Sequence, residues 1–306
     1  MDFQGLKQYI EALVKRGSSQ EEIARKCDIS GTALSQLLSG KYAAKVDNMA
    51  AKIAAALNYY EGTWNVVETV SSYQQIKTAF NAAKCNSKWF CISSRSGSGK
   101  TQSLIDLYNT NADKSVINLK CRKWTGRKFL AKLATCLGIT VTRYMDNDDL
   151  LDAIIQNINQ MADLHPLLIL DDAGKLTHSA LCALIPLYDD TFHRMGALVA
   201  GTETLERTIK RYVGRIEGYD EIDGRFKRNY IALLGATKKD VCAICQANGV
   251  TDKDKQLEIW GKLDKRKKEP VEGSGKFVLF CDDLRELAGM IDNELIHQQL
   301  ERGELA

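Results

Sequence analysis

The sequence of 306 residues predicts an α/β protein: a parallel β-sheet with intervening helices, preceded by a small all-α unit and followed by a helical one. Three observations predict it. Residues 89–101, WFCISSRSGSGKT, carry a short apolar run into a Gly- and Ser-rich turn closed by Gly99, Lys100 and Thr101. Residues 167–172, LLILDD, set four aliphatic side chains before two carboxylates, the pattern of a strand buried on both faces in the middle of a parallel sheet. Two short helical patterns joined by a brief turn lie before Gly40.

Composition sets the bounds. With 44% apolar and 26% charged residues the chain is ordinary globular material, long enough for two or three compact units. A net charge of +3 implies no nucleic-acid partner by itself, so that case rests on local clusters. Nine cysteines, with no secretory signal ahead of them, suggest reduced intracellular thiols. Cys242 and Cys245 form one C-x-x-C inside a helical pattern without a second pair, which favours core thiols over zinc. No apolar run has the length of a bilayer span, so no membrane partner is expected.

Taken in order, residues 1–58 read as a helix-turn-helix unit. Leu6, Ile10, Leu13 and Val14 recur at helical spacing, Ser18 to Glu22 offer a cap with an acidic first turn, and a helix at Gly31–Leu38 follows the turn Asp28-Ile29-Ser30. Val46 to Leu57 supplies a further helix. In this motif the start of the second helix enters the major groove, which would set Thr32, Ser35 and Gln36 against bases, with Ser30 and Lys41 near phosphates. A helical module that keeps the shape and binds protein is the alternative.

Residues 59–70 read as a linker with a β-prone end at Val66–Val70, and residues 71–235 as the α/β unit. Ile76–Ala83 is a helix leading into a strand at Lys88–Ser93. The turn after it is a phosphate cradle, G-x-x-x-x-G-K-[ST] with Ser94 in the first glycine position. Ser94, Arg95, Ser96, Gly97, Ser98, Gly99, Lys100, Thr101 and Gln102 make up the candidate site for ATP. Small residues let backbone N–H groups converge on phosphates; Lys100 reaches the β- and γ-phosphates, and Thr101 sets its hydroxyl on Mg2+. Ser94 would be strained if that position needs a positive φ.

A strand at Ser115–Leu119 ends in the most basic turn of the chain. There Lys120, Arg122, Lys123, Arg127 and Lys128 surround Trp124, either as a solvated loop or as a DNA phosphate contact with Trp124 on sugar or base. Asp171 would hold Mg2+ water, and Asp172 stands where many ATPases carry a glutamate that orients the attacking water. After the strand Ala197–Ala200, Thr202 is placed to sense the γ-phosphate. Beyond a helix at Thr204–Val213 and a loop at Gly214–Gly224, Arg225, with Arg228 second, stands where an arginine finger would reach a neighbouring subunit's nucleotide. Residues 236–306 read as a helical lid with faces at Val241/Ile244/Cys245, Leu257–Leu263 and Phe277–Ile296, and with Lys262–Lys268 as a solvated loop.

These motifs resemble the AAA+ ATPases, whose usual strand order is 5-1-4-3-2. Joined to the helix-turn-helix, they resemble the ATP-dependent transposition regulators of the phage Mu B type. The phrases that carry the resemblance are Leu37-Leu38-Ser39-Gly40-Lys41-Tyr42, Val67-Glu68-Thr69, LILDD, Gly224 to Arg228 and Thr237-Lys238-Lys239-Asp240-Val241. The resemblance implies a weak ATPase in the cytoplasm of a bacterial host, forming a helical filament or ring on double-stranded DNA with little sequence preference. Such an oligomer delivers target DNA to a DDE transposase and stimulates strand transfer. It also implies that Arg285, at the start of a lid helix, reaches the phosphates. Ser94, Asp172 and Thr202 depart from the Gly, Glu and Asn common in the family. An AAA+ loader acting on replication DNA and an ATP-regulated helix-turn-helix repressor are the other readings.

Overall fold

A computed structural model describes residues 3–15, 18–42, 46–57, 59, 64–111, 115–226, 229–270 and 273–302. Residues 60–63 of the expected linker, and Lys227 and Arg228, lie outside the described residues. Four helices form the first unit: α1 (Phe3–Lys15), α2 (Gln20–Lys26), α3 (Gly31–Leu38) and α4 (Val46–Ala56). Ser19 closes a capping box with Glu22, and the Ser30 side chain accepts from Ala33 N to start α3. Those two caps fix both helices of the helix-turn-helix.

The α/β unit runs α5 (Ser71–Asn86), β1 (Trp89–Ser93), α6 (Lys100–Thr110), β2 (Val116–Lys120), α7 (Gly126–Cys136), α8 (Asn147–Gln160), β3 (Leu167–Asp171), α9 (His178–Cys182) and α10 (Leu184–Asp190). It continues with β4 (Gly196–Gly201), α11 (Glu203–Tyr212), α12 (Tyr219–Phe226) and β5 (Tyr230–Ile231). The sheet order is β2-β3-β4-β1-β5, all parallel, which is the order 5-1-4-3-2 read from the other edge. Alternation explains its unbroken apolar strands. Leu167, Ile169, Leu198 and Ala200 face one core with α5 and α6, while Leu168, Leu170, Ala197 and Val199 face the other with α7 to α12. The first core continues without a break into Leu6, Ile10, Ile53 and Leu57 of the N-terminal unit.

The lid comprises α13 (Lys238–Ala247), α14 (Lys253–Lys262), an antiparallel hairpin of β6 (Arg266–Lys268) and β7 (Val278–Phe280), and α15 (Leu284–Glu301). Four expectations need correction. Val66–Val70 forms no strand; it is a turn whose last residue is the N-cap of α5. The stretch Gly214–Gly224 is not all loop, because Tyr219, Ile222 and Phe226 bury one face of α12. Lys262–Lys268 is not wholly a solvated loop: Lys262, Asp264, Arg266 and Lys267 are exposed, but Arg266–Lys268 forms β6 and Lys268 Nζ donates to the carbonyls of Leu233 and Leu234 and to Asp282. Phe277, Val278 and Leu279 belong to the hairpin strand region, outside α15, and are exposed. All nine cysteines, each among the described residues, are free, and among the described residues no helix is long and apolar enough to cross a membrane.

Candidate nucleotide-binding site

Strand register brings the site together. Lys120 of β2 lies beside Asp171 of β3, and Ser93 of β1 beside Gly201 of β4, so the residues after each strand emerge at one edge of the sheet. Residues 94–99 turn from β1 into α6, with Gly97 at φ +85° and Gly99 at φ +84°. Gly97 is obligatory on two counts: a Cβ there would be strained, and it would lie 2.2 Å from Asp283 Oδ1 of the lid. Ser94 is absent from the residues with positive φ, and its amide donates to the Gly201 carbonyl at 3.3 Å. The expected strain at Ser94 therefore does not arise.

Lys100 is 8% exposed and donates to the carbonyls of Ser94 and Arg95, both at 2.8 Å, and to Ser98 Oγ at 2.9 Å. Burial lowers its pKa to about 8, against the opposing pull of Asp171, Asp172 and Glu203. Thr101 Oγ1 donates to Asp171 Oδ2 at 2.8 Å. Burial raises the Asp171 carboxyl above its ordinary range, and the Thr101 hydrogen bond works against that. A buried ammonium on loop carbonyls and a hydroxyl–carboxylate pair beside it are a donor set that fits a phosphate chain and a magnesium ion.

A cleft of about 330 Å³ opens over this cradle. Ser96, Gly97, Ser98, Gly99, Lys100, Thr101 and Gln102 form its phosphate wall, joined by Asp172 and Thr202. Asp172 lies at φ 58° and pairs with Lys175 Nζ at 2.6 Å. Thr202 is the N-cap residue of α11 and shares a hydrogen bond with Thr204 Oγ1 at 2.6 Å. Arg285 of the lid lines the same cleft. Arg95 does not line it; it faces Asp264 of the lid at 3.9 Å.

The opposite wall was not read from the sequence as a site. It consists of Trp64, Val66, Val67, Val70 and Tyr73 from the chain before and within α5, facing Ile244, Leu284 and Ala288 of the lid. Asn65 and Asn248 clasp the two segments: Asn65 N donates to Asn248 Oδ1 at 2.8 Å, Asn65 Nδ2 to the Ala247 carbonyl at 2.8 Å, and Asn248 Nδ2 to the Asn65 carbonyl at 3.0 Å. Ser71 Oγ adds a bond to Asp240 Oδ2 at 2.8 Å. This wall is largely apolar. Its only sequence signal was the apolar run Val66–Val70.

The remaining sequence candidates lie elsewhere. Arg225 Nη2 donates to both carboxylate oxygens of Asp189, at 2.6 and 2.7 Å, and its guanidinium lies 5.0 Å from the Tyr188 ring centre. Lys120, Arg122, Lys123, Arg127 and Lys128 are exposed around the turn after β2. Trp124 is not available to stack on a base: it is 7% exposed, packs in the second core, and its carbonyl accepts from Thr177 Oγ1 at 2.8 Å. The helix N-cap Thr125 follows directly, so the strand-to-helix turn drives the indole inward. Thr32, Ser35 and Gln36 share an exposed face of α3, opposite buried Leu34 and Leu37.

Strand order, phosphate loop and lid together define an AAA+ P-loop fold, here preceded by a helix-turn-helix domain. Residues 87–209 match the family model of the AAA domain, an ATP-binding module, and residues 6–64 that of the helix-turn-helix. Among curated proteins the chain is similar to the Mu-like prophage FluMu DNA transposition protein B of Haemophilus influenzae, 23% identical over 252 residues, covering 79% of this chain and 84% of that protein. Among solved structures it is similar to Cdc6p from Pyrobaculum aerophilum, with a TM-score of 0.56 and 16% identity over 79% of this chain. The chain spans 65% of that structure, and the likeness concerns the fold.

Proposed function

We propose that this chain is an ATP-switched DNA-binding protein that self-associates on duplex DNA. The observation that carries the reading is the meeting of Lys100 and Thr101 in one cleft, with Thr101 hydrogen-bonded to the buried Asp171, in a chain whose N-terminal unit presents Thr32, Ser35 and Gln36 on an exposed helix face. When bound, ATP with Mg2+ supplies the phosphoanhydride bond and the cation that neutralises its charge. Lys100 exchanges its three loop oxygens for phosphate oxygens, and Thr101 and Asp171 hold the metal and its waters. Asp172, once parted from Lys175, orients the hydrolytic water, and Thr202 and Arg285 hydrogen-bond the outer phosphate. Arg225 reaches the nucleotide of a neighbouring copy, giving up Asp189 to do so. Lys120, Arg122, Lys123, Arg127 and Lys128 neutralise DNA phosphates.

What the protein hands its DNA to divides the finer readings. An AAA+ loader acting on replication DNA asks for least beyond the fold. Delivery of target DNA to a DDE transposase draws its support from the name of the Haemophilus influenzae relative. A random-duplex selection followed by strand-transfer assays with a cognate transposase separates them. No enriched sequence together with ATP-dependent stimulation of strand transfer supports delivery; no enrichment and no stimulation leaves the loader. A single enriched operator would point to a repressor, and DNA binding indifferent to ATP would sink the proposal in every form.

A further inference from the structure

The helix-turn-helix unit is seated on the far end of the helix that begins in the phosphate site. Helix α6 starts with Lys100 and Thr101, whose side chains are committed to the Ser94 and Arg95 carbonyls and to Asp171. Seven residues on, about 10 Å along the axis, Tyr108 is buried against the N-terminal unit. Its hydroxyl donates at 3.1 Å to the carbonyl of Leu57, the residue after α4. Its ring lies 6.0 Å from that of Tyr9 of α1, and Tyr9 lies 5.1 Å from Tyr59. Leu104 and Leu107 of the same helix belong to the core that includes Leu6, Ile10 and Ile53.

The seat leaves room for adjustment. Beside the aromatic contact a cleft of about 350 Å³ separates Leu13, Glu22 and Lys26 of the N-terminal unit from Val116, Cys136 and Leu137. The unit thus shares a core with α6 and has room beside it.

From these contacts we infer that α6 couples the nucleotide site to the helix-turn-helix unit, with Tyr108 as the positioning residue. Nucleotide binding withdraws Lys100 and Thr101 from their present partners at the first turn. A helix moves as a unit because its backbone bonds are internal, so the displacement is delivered to Tyr108 and through Leu57 and Tyr9 to the orientation of α3. This rests on the proposed ATP binding, and not on transposase or loader partners.

The test uses the full chain, a non-hydrolysable ATP analogue with Mg2+, hydrogen exchange, and duplex affinity. In the wild type the analogue should protect residues 94–101 and alter exchange at residues 46–59, and should raise duplex affinity by about tenfold or more. Tyr108→Phe keeps the ring and loses the hydrogen bond; it should retain protection at 94–101 and show a smaller response at 46–59. Tyr108→Ala should abolish that second response and the affinity gain, with analogue affinity within about twofold of wild type. A full response at 46–59 in Tyr108→Ala would overturn the coupling. So would protection at 94–101 in the wild type with none of the change at 46–59. Absence of protection at 94–101 would overturn the ATP reading and the coupling with it.

Discussion

The two walls of the cleft are built on different principles. The phosphate wall is local: residues 96–102 are consecutive, and Asp172 and Thr202 join it through parallel strand register. The base wall is assembled from Trp64–Tyr73 and from Ile244, Leu284 and Ala288, segments far apart in the chain and held by the Asn65–Asn248 clasp. The phosphate wall therefore depends on charge and backbone conformation, and the base wall on the lid's position.

The sharpest way to break the first wall is Lys100→Ala. It removes a buried ammonium with three oxygen partners, and nucleotide affinity should fall by at least about 100-fold in calorimetry. Tripolyphosphate should lose affinity with it. An unchanged tripolyphosphate affinity would move the phosphates elsewhere.

Gly97→Ala probes the place where the two walls touch. Leu284 N donates to the Gly97 carbonyl at 2.8 Å, and the added methyl meets Asp283 while Gly97 sits at φ +85°. Thermal unfolding should report a loss of about 1–3 kcal/mol. Adding Asp283→Ala should not restore all of it, because the positive φ remains and the cap of α15 is lost.

Asn248→Ala isolates the second wall. Losing the clasp should weaken ATP by about tenfold and leave tripolyphosphate within about twofold of wild type. Equal losses for both ligands would mean the walls are not separable.

The smallest effect is on pH. The Lys100 ammonium binds phosphate, and in the free protein it titrates near 8. Nucleotide affinity should therefore fall roughly fourfold between about pH 7 and 8.5, with proton uptake on binding. Stability of the free protein should move the other way. The unfolded lysine keeps its proton to about 10.5, so the folded chain gains stability as pH rises from about 8 toward that value. A flat binding profile would mean that Lys100 stays charged in the free cleft.

The same division explains what the sequence made legible. Local features were readable: the phosphate turn, the doubly buried β3, the cap of α2, the turn before α3, and the sheet order that the family resemblance implied. Tertiary features were not. Val66–Val70 looks β-prone because it is apolar, yet those side chains serve a cleft whose other half lies in the lid. Trp124 looked like a nucleic-acid contact because its neighbours are basic, but exposure of the neighbours says nothing about a residue at a turn into a capped helix. Gly218 and Gly224 disguised α12, although Tyr219, Ile222 and Phe226 kept helical spacing. The phosphate-loop pattern calls for glycine where Ser94 stands, and the backbone there needs none.

The central claim is that nucleotide in this cleft controls DNA binding. The direct measurement is anisotropy of a labelled duplex of arbitrary sequence, titrated with the wild type and with Lys100→Ala, in the presence of ATP analogue, ADP or no nucleotide. The account predicts wild-type affinity about tenfold or more higher with the analogue than with ADP or none, steeply salt-dependent and indifferent to duplex sequence, with no such gain in Lys100→Ala. Equal affinity in all three nucleotide states, or a full gain in Lys100→Ala, would contradict it.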